Sequence, residues 1–482
     1  MLVACKKKGE QNTETNTVST APIGNEDERI KPNIPENADL NAKNFVIYVQ
    51  PWNAYAPLDI TDICPVEEAD AITEKAFERR YVTEEALNCT IEQYVGQSSY
   101  NKGLADLQAV LAAGDTAYDI LMIRAKQYTG LIGSGYLTNI DDIPHIDMSK
   151  PWWDEKSSKA LEISNKAFAI CGDMTVNDDL GVFNIYFNKE MADNYRVTNV
   201  YGKDIYQIVK DREWTFDTMY AMAKLVVSHP DATGIPGNTS SDIYGFGYIQ
   251  DASVAFLNSF GTYIATVNND GVPEFTLDGE ANITKMQKLL SVLQDTSTSI
   301  NFHARRKETA TKEETQTFLD NRELFCVGGI YYCSEMRKSE TDFGIIPMPM
   351  YDKDQGDYNS PCVGTALTIT AVPWCNPDLE STGIFMEYFA YEGYYTLRPA
   401  LYDKLLNGQL ARDVESLEML DIIFANVSYD TGLIFNYNSI ADEIFKSYNN
   451  LEDTISSNMV GYKKNVSNAI TKLVLTLNSL EQ

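Results

Sequence analysis

The stretch Ala167–Tyr195, AFAICGDMTVNDDLGVFNIYFNKEMADNY, decides the fold. Phe168 and Ile170, then Val182, Phe183, Ile185, Tyr186 and Phe187, form two short apolar runs rich in β-branched and aromatic residues, as buried strands are. Gly172-Asp173 and a polar turn at Asn177-Asp178-Asp179 separate them. Asn188 then stands where a helix N-cap is wanted, ahead of the helix formers Lys189, Glu190, Met191 and Ala192. A strand arrives, crosses polar ground, and a second strand feeds a helix. This pattern predicts the first crossing from one α/β lobe into another.

Upstream, Phe45–Val49 predicts a buried strand that ends in the polar and aromatic loop Gln50-Pro51-Trp52-Asn53-Ala54-Tyr55. Open α/β sheets take ligands at the carboxyl ends of their strands. A helix near 69–87, an alternating strand Cys89–Val95, a loop Gln97-Ser98-Ser99-Tyr100 and a helix Gly103–Ala113 follow. Tyr118–Ile123 predicts the third strand, with the polar turn Arg124-Ala125-Lys126-Gln127-Tyr128-Thr129-Gly130 behind it. Downstream, a helix Thr218–Val227 follows Trp214-Thr215-Phe216-Asp217, and a short strand Tyr244–Tyr248 ends at Gln250-Asp251-Ala252-Ser253. Residues 366–372 would cross back, and 438–482 predict closing helices.

The ordered set of motifs resembles the extracellular solute-binding proteins of ABC uptake transporters, specifically the carbohydrate-type receptors that are lipid-anchored in Gram-positive bacteria. It comprises Tyr118-Asp119-Ile120-Leu121-Met122 with a polar turn and a G-x-L, then Pro151-Trp152-Trp153, a Gly-Asp, and a strand ending Phe187-Asn188-Lys189. It continues with Trp214-Thr215-Phe216-Asp217, with Gly328-Gly329-Ile330-Tyr331-Tyr332 after Phe318–Val327, and with Gly344-Ile345-Ile346-Pro347-Met348-Pro349. The likeness runs from about Phe45 to near Asp430. It implies a type II periplasmic-binding-protein-like fold, α/β, with a ligand cleft between two lobes joined by multiple crossovers. The expected division is 1–43 lipobox and tether, 44–170 and 358–400 lobe 1, and 171–357 and 401–482 lobe 2.

The implied ligand is a sugar or oligosaccharide, delivered to ABC permease subunits without any bond being broken. Expected ligand contacts are Trp52, Asn53, Tyr55, Ser98, Arg124, Gln127, Tyr128, Asn184, Asp251 and Tyr332. Trp52 and Tyr332 would be aromatic platforms from opposite lobes, the alternative being that each packs under its own loop. The Pro-Trp-Trp stretch is expected to pack against the lobe surface. Alternatives for the whole chain are the same fold serving an oligopeptide, a lipid-anchored glycoside hydrolase whose carboxylate pair hides among many acids, or a scaffolding lipoprotein.

With 482 residues the chain is too long for one ordinary core. A net charge of −30 argues against nucleic acid, whose phosphates need a basic footprint. Leu2-Val3-Ala4-Cys5 has the form of a lipobox, so Cys5 is the expected lipid anchor to the outer face of the cytoplasmic membrane. The tract behind it, to about Asn44, is polar and lacks large apolar residues. As a coil of about 38 residues it would span roughly 30–40 Å. The remaining seven cysteines are scattered, with no C-x-x-C and no histidine at metal spacing, so neither metal nor cofactor is expected. No G-x-S-x-G, phosphate-loop or H-E-x-x-H motif occurs, and His145, His229 and His303 lie far apart. A non-enzymatic monomer is the expectation.

Overall fold

Phe45, Ile47, Tyr48 and Val49 are all buried in β1 (Lys43–Val49), a run apolar almost throughout because it lies inside a sheet. It pairs in parallel with β2 (Cys89–Val95) and β3 (Ile120–Arg124). With β12 (Thr368–Ala371) the order is β12-β3-β1-β2, so β2 is an edge, and its first four residues alternate buried and exposed. The computed structural model describes residues 29–51, 62–65, 71–97, 99–229, 241–305, 310–336, 339–363, 367–407 and 414–480.

A second sheet, ordered β10-β4-β9-β5-β8, is built from β4 (Phe183–Asn188), β5 (Tyr244–Tyr248), β8 (Ser299–Asn301), β9 (Glu323–Gly329) and β10 (Phe343–Pro347). β4 runs antiparallel to both neighbours, while β5 is parallel to β8 and β9. The chain then returns, and β12 (Thr368–Ala371) joins the first sheet antiparallel to β3. Two small ribbons complete the strands, β6 (Ala265–Val267) with β7 (Pro273–Phe275), and β11 (Ser360–Cys362) with β13 (Val427–Tyr429).

The long helix Leu379–Asn407 packs on α1 (Ala71–Leu87) in the first lobe. Pro399 lies inside it, so Tyr395 lacks its usual helical amide donor. The Pro-Trp-Trp stretch packs as expected: Trp152 and Trp153 are buried, and Trp153 Nε1 donates to Glu387 Oε2 at 2.8 Å. Asn188 caps the next helix, Lys189–Asn194, by accepting from Met191 N at 2.8 Å.

Three expectations change and one gains detail. Phe168–Ile170 is not a strand but meets its partner at one bridge, Ile170 with Thr370, because the backbone must next thread past Trp152. A Cβ on Gly172 would sit 2.2 Å from the Trp152 carbonyl oxygen. The polar turn at Asn177-Asp178-Asp179 is wound into a short helix, Asn177–Leu180. The polar turn after β3 is a helix, α3 (Ala125–Ile132), opened by Gln127 Oε1 accepting from Arg124 N at 3.2 Å. The tract expected to be flexible as far as Asn44 is docked from Arg29 onward. Arg29 pairs with Glu392 and covers the Tyr395 ring, Asn33 N donates to Glu387, and Leu40 is buried.

Candidate functional site

At the carboxyl ends of β1 and β3 a polar network sits under the first lobe's rim. Gln50, the residue just beyond β1, is buried; its Oε1 accepts from Tyr48 Oη at 2.9 Å and from Gln127 Nε2 at 3.2 Å. Its Nε2 donates to the Gln97 carbonyl at 2.6 Å. Gly103 is required here, since a Cβ would lie 2.1 Å from Gln50 Oε1. Arg124, also buried, donates through Nη1 to Thr368 Oγ1 on β12. The network therefore ties the ends of three strands and the start of α3 together.

The structure brings Arg124 and Gln127 into this network. It places Tyr128 elsewhere: its hydroxyl donates to the Leu161 carbonyl at 3.1 Å and accepts from Phe168 N at 3.0 Å, and its ring lies 5.4 Å from Phe435. Trp52, Asn53, Tyr55, Ser98 and Cys5 lie outside the described residues.

In the second lobe, Asn184 and Tyr186 share a face of β4. Tyr186 stacks on Tyr332 with ring centres 6.3 Å apart, and its hydroxyl donates to the Gly329 carbonyl at 2.9 Å. Tyr332 is 1% exposed and its hydroxyl donates to Glu314 Oε2 at 2.6 Å. Burial raises the Glu314 carboxyl to about 8, against the opposing pull of the Tyr332 hydrogen bond. Tyr331 stands edge-on to Tyr332 at 4.9 Å and is the partly exposed member of the pair. Asp251, in the first turn of the helix Gln250–Ser259, is half-buried and electrostatically coupled to Tyr331.

Asn184 is the informative member. It is fully buried, and the polar group its side-chain amide faces is the Tyr186 hydroxyl.

Between the lobes, α3 faces the helices Thr431–Phe435 and Ile440–Asn450. Thr129 Oγ1 donates to the Phe435 carbonyl at 2.8 Å, and Lys126 approaches Asp442 at 4.0 Å. Lys126, Val363, Leu433, Asn436 and Phe445 line a small cavity there. Among the described residues no group of three or more His, Cys, Asp or Glu could hold a metal ion. No helix among them is long and apolar enough to cross a membrane.

Sequence reasoning missed Gln50, Thr368, Glu314 and Tyr331. Gln50 carried a usable signal, being a polar residue directly at the end of a buried strand. Glu314 carried none, because an acid in a polar helix reads as solvated.

No family model matches the chain, and no curated protein matches its sequence. Solved structures do match its fold. One is an ABC substrate-binding protein from Listeria monocytogenes in complex with cycloalternan, at TM-score 0.52 and 12% identity, covering 91% of this chain and 100% of that one. Another is maltose-bound MalE3 of T. maritima, at TM-score 0.51 and 14% identity, covering 91% and 100%. A third is a sugar transporter from Rhizobium etli in an open conformation, at TM-score 0.56 and 13% identity, covering 91% and 99%. The chain has the two-lobe, type II periplasmic-binding-protein-like fold.

Proposed function

We propose that this protein is an extracytoplasmic solute-binding receptor of an ABC importer that takes a sugar or oligosaccharide between its lobes and passes it on unchanged. The observation that carries the reading is the fold match over about nine-tenths of the chain to receptors solved with cycloalternan and maltose. The site chemistry supports it. Uncharged hydrogen-bonding groups (Gln50, Gln127, Asn184) and the tyrosine pair suit a neutral polyol with hydrophobic C–H faces. Arg124 and Gln127 from the first lobe, with Asn184, Asp251 and Tyr331 from the second, are the proposed contacts among the described residues.

The finer assignments belong to the same proposal. The lobes divide as 44–170 with 358–400 and 171–357 with 401–482. The protein is a Gram-positive-type lipoprotein, anchored through Cys5 at the outer face of the cytoplasmic membrane and acting as a monomer with its permease. Exchanging Cys5→Ser in the full-length gene, expressed in a Gram-positive host, should release the protein to the medium, because stable anchoring needs two acyl chains. Retention in the membrane fraction would end the anchor proposal.

Calorimetric titration against maltose, maltotriose, acarbose and cycloalternan, with chromatography of each mixture after incubation, tests the function. The expected outcome is saturable binding to at least one and recovery of every sugar intact. Cleavage products would make the protein a glycoside hydrolase. Binding only to oligopeptides in a parallel titration would reassign the solute.

A further inference from the structure

The chain passes between the two sheets along adjacent routes. On the way out Ile170 bridges Thr370 beside the first sheet, and Val182 bridges Cys362 beside the second; both bridges are antiparallel. Residues 173–177 of the outgoing route are gripped from the first lobe. Asp62, buried, turns its carboxylate onto them: Oδ2 accepts from Thr175 Oγ1 at 2.6 Å and Val176 N at 2.8 Å, and Oδ1 from Asn177 Nδ2 at 3.3 Å.

Arg79 of α1 holds the same stretch from the other side. Its Nη1 donates to the carbonyls of Asp173 at 3.3 Å and Met174 at 2.9 Å, and its Nη2 to the carbonyl of Asp62. The guanidinium lies 3.7 Å over the Phe389 ring of the long helix, whose Arg398 also pairs with Asp173 at 3.5 Å. Within a few residues the partners change lobe. Ile330 N donates to the Val182 carbonyl at 2.9 Å, and a Cβ on Gly329 would stand 3.1 Å from the Leu180 carbonyl.

We propose that Asp62 is a positioning residue for lobe closure: its carboxylate pins residues 175–177 to the first lobe, which confines rotation to the turn Asn177–Gly181 and sets the resting angle between the lobes. Hinges absorb large backbone changes at a few residues while their flanks stay fixed, and across this turn the partners change from the first lobe to the second: Asp178 still accepts from Gly172 N at 3.1 Å, while Val182 already accepts from Ile330 N. Hydrogen bonds to a buried carboxylate are about twice as strong as neutral ones, which suits a pin. Removing it takes the acceptor from the Val176 N–H and from the Thr175 O–H, both in a buried site.

The inference rests on the receptor reading for its purpose, but its test uses no sugar. Ligand-free wild type, Asp62→Ala and Thr175→Val would be compared by small-angle scattering, melting and hydrogen exchange. The expected result is a larger radius of gyration for Asp62→Ala, with exchange at Val176 faster by about tenfold or more. Thr175→Val keeps the side chain's shape but removes the hydroxyl that donates to Asp62 and accepts from Asn177 N and Nδ2; it leaves the Asp62 bond to Val176 N in place, should fall between Asp62→Ala and wild type, and decides alone if Asp62→Ala does not fold. Lower melting temperature with scattering and Val176 exchange as in wild type would overturn the proposal, leaving Asp62 a packing residue only. A protein that binds no carbohydrate would sink the proposed function and leave this comparison readable.

Discussion

Glu314 and Tyr332 act as one unit inside the second lobe, and protonation governs it. The Glu314 carboxyl is raised by burial from 4.5 to about 8. A carboxyl raised in the folded state contributes stability that is complete below its unfolded value and is lost as pH climbs through its folded value. Melting temperature should therefore fall between pH 6 and pH 9, and Glu314→Gln, neutral throughout and still able to accept from Tyr332, should flatten that fall. A wild-type slope retained in the Gln variant would show that other groups carry it. Tyr332→Ala should cost about 3–5 kcal/mol of stability, as a fully packed aromatic does. Tyr331→Ala should instead weaken sugar binding by at least ~1 kcal/mol, some fivefold in Kd, with melting nearly unchanged. Titration and melting of both variants separate the roles. The sequence pointed to Tyr332 because it ends the Gly-Gly-Ile-Tyr-Tyr motif. Which of two adjacent tyrosines turns inward depends on Glu314, a partner distant in the chain.

Among the elements, those made of apolar β-branched runs were legible, since such a run has nowhere to go but a sheet interior: β1, β3 and β4 all stand where the pattern put them. Elements fixed by a partner were not. Phe168–Ile170 has the composition of a strand, but Gly172 must pass the Trp152 carbonyl, and only one bridge forms. α3 was hidden by its polar start, where Gln127 serves Gln50 and the preceding Arg124 serves Thr368. The long helix poses the same problem in its glycines. Gly393 packs so closely on the outgoing crossing that a Cβ would sit 1.7 Å from the Asp173 carbonyl oxygen. Gly393→Ala has only backbone to displace and should cost about 1–3 kcal/mol or more, read as a lower urea midpoint. An unchanged midpoint would mean that helix and crossing separate easily.

At the scale of the whole molecule, the two-sheet plan was legible because crossings alternate with strand-and-helix units, whereas the docking of residues 29–42 was not. That segment is polar, and its contacts are made with one-off partners: Arg29 with Glu392 and Tyr395, Asn33 with Glu387 and the His145 carbonyl. Deleting residues 1–42 should lower the melting temperature by uncovering the long helix. A body that melts like the full chain would show the docking to be energetically idle. With a bound oligosaccharide, the radius of gyration should shrink, and a shift from mostly open to mostly closed requires about 5 kcal/mol of preference for the closed form. The docked segment also bears on which half would stand still under the proposed anchor. It lies on the first lobe, so a chain tethered at Cys5 enters the folded body through that lobe. Were the proposed anchor to hold, the first lobe would be the tethered half and the second the half free to swing. A permease would find half of its docking face waiting for it, and the other half swinging into place with the cargo.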